Sequence, residues 1–244
     1  FWMQVLASFT LMYGAYWLWH TLYRYRPDLF STSLEQMLTY VMLAIIMNFF
    51  LNPSNSARYN ISNHMRSGDI QIDLLRPVDF PFYLMTYSAG ETLFTLMLPC
   101  LPAYLLGVLF LELKPPASLL MGLLFGLSLA LAFLVAVSLQ FLLGLITIYT
   151  IGARRIVWFY LAVLRFFSGQ MIPLWIFPPL LGQIAALLPF QLLVSIPLSI
   201  YIGRLDGAQA AQALGLQSAW AAALLLVGRV VWRQAHRKLT VQGG

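Results

Sequence analysis

Long apolar blocks separated by short polar interruptions organise this chain, and most of the blocks are of membrane-crossing length. A helix rising 1.5 Å per residue needs about 20 mostly apolar positions to cross a hydrocarbon core of about 30 Å. On that measure the pattern predicts an all-α integral membrane protein with six transmembrane helices, at 1–22, 34–51, 82–111, 118–149, 154–172 and 214–232. The third and fourth blocks, at about 30 residues, reach roughly 45 Å and must tilt, kink or project. Pro99 and Pro102 offer a kink in the third.

The stretch 173–203 is equally apolar but is broken by Pro173, Pro178, Pro179, Pro189 and Pro197. Proline removes a backbone donor and clashes with the preceding turn, so one uninterrupted helix is excluded. Irregular backbone at membrane depth is tolerated only where protein or water covers it. The pattern predicts two short half-helices that dip into the membrane and return, a re-entrant hairpin before the last span. The alternative is one irregular span followed by an amphipathic surface helix.

Composition agrees: 61% of the 244 residues are hydrophobic and 9% charged, against about a quarter charged in soluble domains. The net charge of +6 comes without a basic run or an interleaved basic and aromatic patch, which argues against nucleic acid as a partner. The basic residues act as orientation signals instead. If the first span runs outward, Arg58, Arg66, Arg76, Arg154, Arg155, Arg229, Arg233, Arg237 and Lys238 face the cytosol and Arg24, Arg26, Lys114 and Arg204 face out. This asymmetry predicts a multi-pass protein of the cell's inner (plasma) membrane with both termini in the cytosol. The chain opens at Phe1 inside an apolar block, which raises the expectation of a preceding cytosolic segment. The lone Cys100 cannot form a disulfide within the chain and reads as a small buried hydrophobe.

Residues 54–79 stand apart. "SGDIQIDLLRPVDFP" holds three of the eight carboxylates, Asp69, Asp73 and Asp79. Ser54 or Asn55 can cap a short helix, Ile61 and Met65 share a face, and Gly68 can end it. Asp69 and Asp73 are again four apart, Leu74 and Leu75 supply an apolar tip, and Arg76 before Pro77 is biased away from helix. The residues describe either an ordinary solvated loop or a short amphipathic element suited to docking another protein. At this point the pattern "GDIQIDLLRPV", the six-block layout, the proline-rich hairpin and the basic tail "RQAHRKLTVQGG" resemble the permease subunits of ABC-2 type exporters. The branch in question carries a Gly, acidic, Leu-Leu-Arg-Pro signature.

The resemblance implies that residues 1–244 form a single transmembrane domain. It implies a cytosolic coupling helix in which Gly68, Asp69, Asp73, Leu74, Leu75, Arg76 and Pro77 receive the motion of an ABC ATP-binding subunit present in two copies. A second permease, identical or homologous, would complete a central path lined by the second and fifth spans. The hairpin would be the outer gate, shaped by Pro173, Pro178, Pro179 and Pro189. ATP and Mg would be bound by the partner subunit and no cofactor by this chain. The cargo would be a hydrophobic or amphipathic molecule (a drug, natural product, lipid-like compound or peptide), exported by alternating access.

Catalytic patterns are missing. The sequence has no GxxxxGK[ST] phosphate loop, no HExxH or CxxC spacing and no GxSxG elbow, so neither enzymatic activity nor a metal site is expected. The rivals are a gradient-driven secondary transporter, which would show broken helices in two related halves, and a membrane-embedded enzyme, which would need clustered acids or histidines. Two charges fall inside predicted spans, Glu91 and Arg165. They are candidates for an intramembrane pair that biases the transport state, or for a structural pair or snorkelling side chains. Gly122, Gly126 and Ala130, spaced four apart, permit close helix approach, within the subunit or at a dimer seam.

Overall fold

The computed structural model describes residues 2–25, 32–51, 79–149 and 154–242, and all regular structure among them is helical. Helix α1 (Trp2–Tyr25) is followed by α2 (Leu34–Leu51). Next, α3 (Phe80–Thr95) runs through a π-helical segment at Leu96–Cys100 into α4 (Leu101–Phe110). Pro99 lies in the widened turn, where a missing donor and a bulky ring are accommodated by shifting the hydrogen-bond ladder. The expected kink site is therefore a π segment in a continuous helical run.

Helices α5 (Leu119–Tyr149) and α6 (Arg154–Phe167) follow, then a 3-10 turn at Leu174–Ile176, α7 (Pro179–Leu187), a 3-10 turn at Pro189–Leu192, α8 (Ser195–Tyr201) and the long α9 (Gly207–Gln242). Two sequence boundaries are corrected. The fifth block ends at Phe167, not 172, because the chain turns at Ser168–Gln170 with Gly169 at φ +82°, a conformation open to glycine at little cost. The last helix begins at Gly207, not 214, because Asp206 and Gln209 cap it reciprocally. The Gln209 amide donates to Asp206 Oδ1 at 2.8 Å and the Asp206 amide to Gln209 Oε1 at 3.1 Å, which satisfies two otherwise orphaned donors.

Among the described residues three helical runs are long and apolar enough to cross a membrane: Phe80–Phe110, Leu119–Ile146 and Gly207–Gln234. The pair Pro179–Leu187 and Pro189–Tyr201, bent by 76°, makes a fourth if counted as one. The apolar stretch Leu34–Asn48 is shorter.

Helix α2 is the centre of the subunit. Met37, Tyr40 and Met42 are fully buried, with Leu38, Leu43, Ala44, Ile46 and Met47 close to it, enclosed by α1, α4, the π segment and α8. The longest packing seam joins α5 to α9. A separate small cluster of Phe80, Leu84, Val137, Phe141, Leu145 and Trp232 ties α3, α5 and α9 together at the end away from the proline-broken segment. The Gly122, Gly126, Ala130 stripe is not a helix contact within the subunit. A β-carbon added at Gly126 would meet nothing within 4 Å, and one at Gly122 would only touch Pro116.

Candidate functional site

The proline-broken segment is held from every side. The buried Tyr40 hydroxyl donates to the carbonyl of Gly169 at 2.9 Å, and its ring meets Trp175 edge to face at 4.7 Å between centroids. Arg204 lies over the other partner of this contact, 4.5 Å from the Trp175 ring centre, a cation–π arrangement. The backbone of the segment also closes on itself, the Ser195 amide donating to the Ser168 carbonyl at 3.0 Å.

Its inner turn is fixed by Gln217 of α9, which is completely buried. The Gln217 amide nitrogen donates to the Leu192 carbonyl at 2.8 Å and to the Ser128 carbonyl at 3.3 Å, while the Ser128 hydroxyl donates to Gln217 Oε1 at 2.9 Å. A buried primary amide is expensive unless satisfied; here one side chain joins α5, α9 and the turn. Gln217 stands ten residues after Gly207, and Ser128 nine after Leu119, so the Leu192 turn sits about 15 Å along both helices from their starts.

The rim is pinned by Tyr201. Its hydroxyl donates to the Lys114 carbonyl at 3.0 Å, so the 2.9 Å contact with Tyr104 has Tyr104 as donor. The Tyr201 carbonyl accepts from Ala117 at 3.1 Å. Gly203, at φ +71°, lets the chain pass Ala117 so closely that a β-carbon there would come within 2.7 Å. Gln36 of α2 donates to the Ile202 carbonyl at 3.3 Å, and Lys114 faces Glu35 at 3.7 Å.

Of the expected gate prolines, Pro173 and Pro189 are buried, while Pro178 and Pro179 are exposed. Pro179 opens α7 and Pro189 opens the 3-10 turn, first-turn positions where the missing donor costs nothing. The four therefore act as start signals for short helices.

At the opposite end of the bundle, Asp79 precedes α3 and faces Arg229 of α9 at 3.3 Å, both side chains about half exposed. Next to it Phe80 stacks on Trp232, centroids 4.9 Å apart and planes 22° from parallel. A cavity of about 340 Å³ opens beside them, between α3, α5 and α9. The docking candidates Gly68, Asp69, Asp73, Leu74, Leu75, Arg76 and Pro77 lie outside the described residues.

Glu91 and Arg165 are not brought together. Glu91 is half-buried on α3 with a partner of its own, whereas Arg165 is exposed on α6, a helix that packs on the Pro189–Leu192 turn. Among the described residues no ion pair joins the two within the subunit, and α3 and α6 share no extensive seam.

Sequence reasoning missed Tyr40, Gln217, Ser128, Tyr201 and Trp175. Gln217 was findable, as a lone amide inside the apolar run "ALGLQSAWAAALLLVG". Among the described residues no group of three or more His, Cys, Asp or Glu is placed to hold a metal. A family model described as "ABC-2 family transporter protein" matches residues 9–243. No curated protein and no solved structure matches.

Proposed function

Because the chain belongs to the ABC-2 transporter family, a family of multi-pass membrane proteins, we propose that it is the permease subunit of an ATP-driven exporter. The observation that carries the reading is the extent of the match, 9–243 of 244 residues, on a chain without a phosphate loop of its own. ATP and Mg are then handled by a separate ATP-binding subunit, in two copies, beneath two permeases. The cargo is a hydrophobic or amphipathic molecule, moved out by alternating access.

In this reading the six blocks all span the inner (plasma) membrane, with both termini cytosolic according to the basic residues. The hairpin end of the bundle faces out. The segment 173–203 is a re-entrant outer gate, a reading supported by the Leu192 turn lying about 15 Å inside the starts of α5 and α9. Prolines 173, 178, 179 and 189 give it short, separately capped pieces. At the cytosolic end, residues 54–79 dock on the ATPase and pass its motion to α3, and the Asp79–Arg229 and Phe80–Trp232 contacts share that motion with α9. Taking a two-state equilibrium from 1:99 to 99:1 needs about 5.5 kcal/mol of differential binding. Leu74, Leu75, Asp73 and Arg76 are the contacts proposed to contribute to it.

The test is co-purification with the ABC ATPase encoded nearest to this chain, reading ATP hydrolysis in nanodiscs for the native protein and for Leu74→Asp with Arg76→Glu. Assembly and hydrolysis by the native pair, lost in the double variant, is the expected result. If the native chain captures no ATPase, the exporter reading fails and a gradient-driven transporter replaces it. Equal capture by the double variant removes the docking role from 54–79.

A further inference from the structure

Helix α6 turns one continuous stripe outward: Arg155, Trp158, Phe159, Ala162, Arg165 and Phe166 are all exposed, and their spacing puts them on a single face. The side facing the core carries the buried Leu164. Arg165 stands eleven residues after Arg154, about 17 Å along the helix. Just beyond it, Gly169 is bonded to Tyr40, which is itself six residues, about 9 Å, inside the start of α2. On the six-span reading above, in which α6 crosses the membrane, Arg165 lies at depth from both ends of the bundle.

An exposed guanidinium at that depth is strongly unfavourable against hydrocarbon, so the stripe faces a wet path or an anion. Among the described residues there is little to offer as that anion. Glu35 faces Lys114 and Asp79 faces Arg229, at opposite ends of the bundle. Glu112 and Asp206 sit in connections at the hairpin end, and Glu91 already has a partner. A second copy brings the same set.

We infer that the exported substrate carries a negative charge that seats on Arg165, attached to an apolar or aromatic body lying along Trp158, Phe159 and Phe166. This rests on the permease reading above and narrows its substrate class to anionic amphiphiles. A planar guanidinium holds a carboxylate, sulfonate or phosphate through paired hydrogen bonds. The flanking rings, with Trp158 67% and Phe159 72% exposed, offer apolar area for the remainder of the molecule.

The experiment places the full chain in phosphatidylcholine nanodiscs without any ATPase. It titrates 11-(dansylamino)undecanoic acid and its neutral carboxamide, reading energy transfer from the protein's tryptophans. The native protein is expected to prefer the carboxylate by about tenfold, Arg165→Gln to bind both alike, and Arg165→Lys to retain the preference. Equal binding of the two probes by the native protein overturns the inference, as does an undiminished preference in Arg165→Gln. It is overturned equally if Arg165→Gln runs as a monomer where the native chain runs as a dimer, since Arg165 then belongs to a contact between copies. Should Arg165→Gln fail to accumulate, the native preference and its retention in Arg165→Lys decide the matter. Probe binding needs no ATPase and ATPase capture needs no Arg165, so the failure of one reading is distinguishable from the failure of the other.

Discussion

The hydroxyl of Tyr40 donates to the carbonyl of Gly169 at 2.9 Å, and Gly169 has φ +82°. One hydrogen bond thus ties the most enclosed helix to the first turn of the proline-broken segment. Replacing Tyr40 by Phe strands a buried carbonyl and should cost about 1–3 kcal/mol. Gly169→Ala should cost more, because a β-carbon would come within 2.6 Å of the Tyr40 hydroxyl and the backbone is strained for any L side chain. Thermal unfolding in detergent should rank native above Tyr40→Phe above Gly169→Ala. Removing the hydroxyl also relieves the clash, so the double variant should lose less than the sum of the two.

Gln217 gives a second prediction. Gln217→Leu leaves the Leu192 carbonyl and the Ser128 hydroxyl without their partner, a loss of about 1–3 kcal/mol for each stranded group. Gln217→Glu keeps an acceptor for Ser128 but withdraws the donor from Leu192 and brings a carboxylate into a site with no solvent contact. It should be at least as damaging as Leu. A Leu variant as stable as native would mean that the amide does not hold the turn.

These two residues also show where the sequence was readable and where it was not. Apolar block length placed α2, α3 with α4, and α5 to within a few residues, because helix rise and membrane thickness fix that ruler. The end of α6 was misplaced because apolarity continues through 168–172 while a single glycine turns the chain. The start of α9 was misplaced because block counting ignored Asp206 and Gln209, though their spacing is a capping signal. The prolines located the broken segment correctly, yet the atoms that hold it belong to Tyr40, Gln217 and Tyr201. Such partners are over a hundred positions away in the case of Tyr40 and Gly169, and no local pattern reports them.

At the far end of the bundle, the ion pair and the ring stack should behave differently. Asp79 and Arg229 have side chains 47% and 64% exposed, and exposed pairs contribute about 0–1 kcal/mol. Trp232 is buried against Phe80 and Phe141, where truncation of a large aromatic costs about 3–5 kcal/mol. Arg229→Ala should therefore leave the unfolding midpoint nearly unchanged while Trp232→Ala lowers it sharply. A salt titration separates them further: added salt should erase the small effect of Arg229→Ala and leave that of Trp232→Ala intact.

Gly126 tests what the small-residue stripe is for. It faces a cavity of about 530 Å³ between α3 and α5, bordered by Leu93, Leu96, Leu129 and Phe133 among others, and a β-carbon there meets nothing. If the subunit alone sets the cost, Gly126→Ala is free of clashes and removes chain entropy from the unfolded state, so it should stabilise by about 0.4–1 kcal/mol. A helix from a second copy lying on the stripe reverses the sign, because close backbone approach depends on the missing side chain. Measuring both the unfolding midpoint and the monomer–dimer equilibrium of Gly126→Ala resolves this. A raised midpoint with an unchanged dimer leaves the groove to lipid, and a weakened dimer makes the stripe a seam between copies.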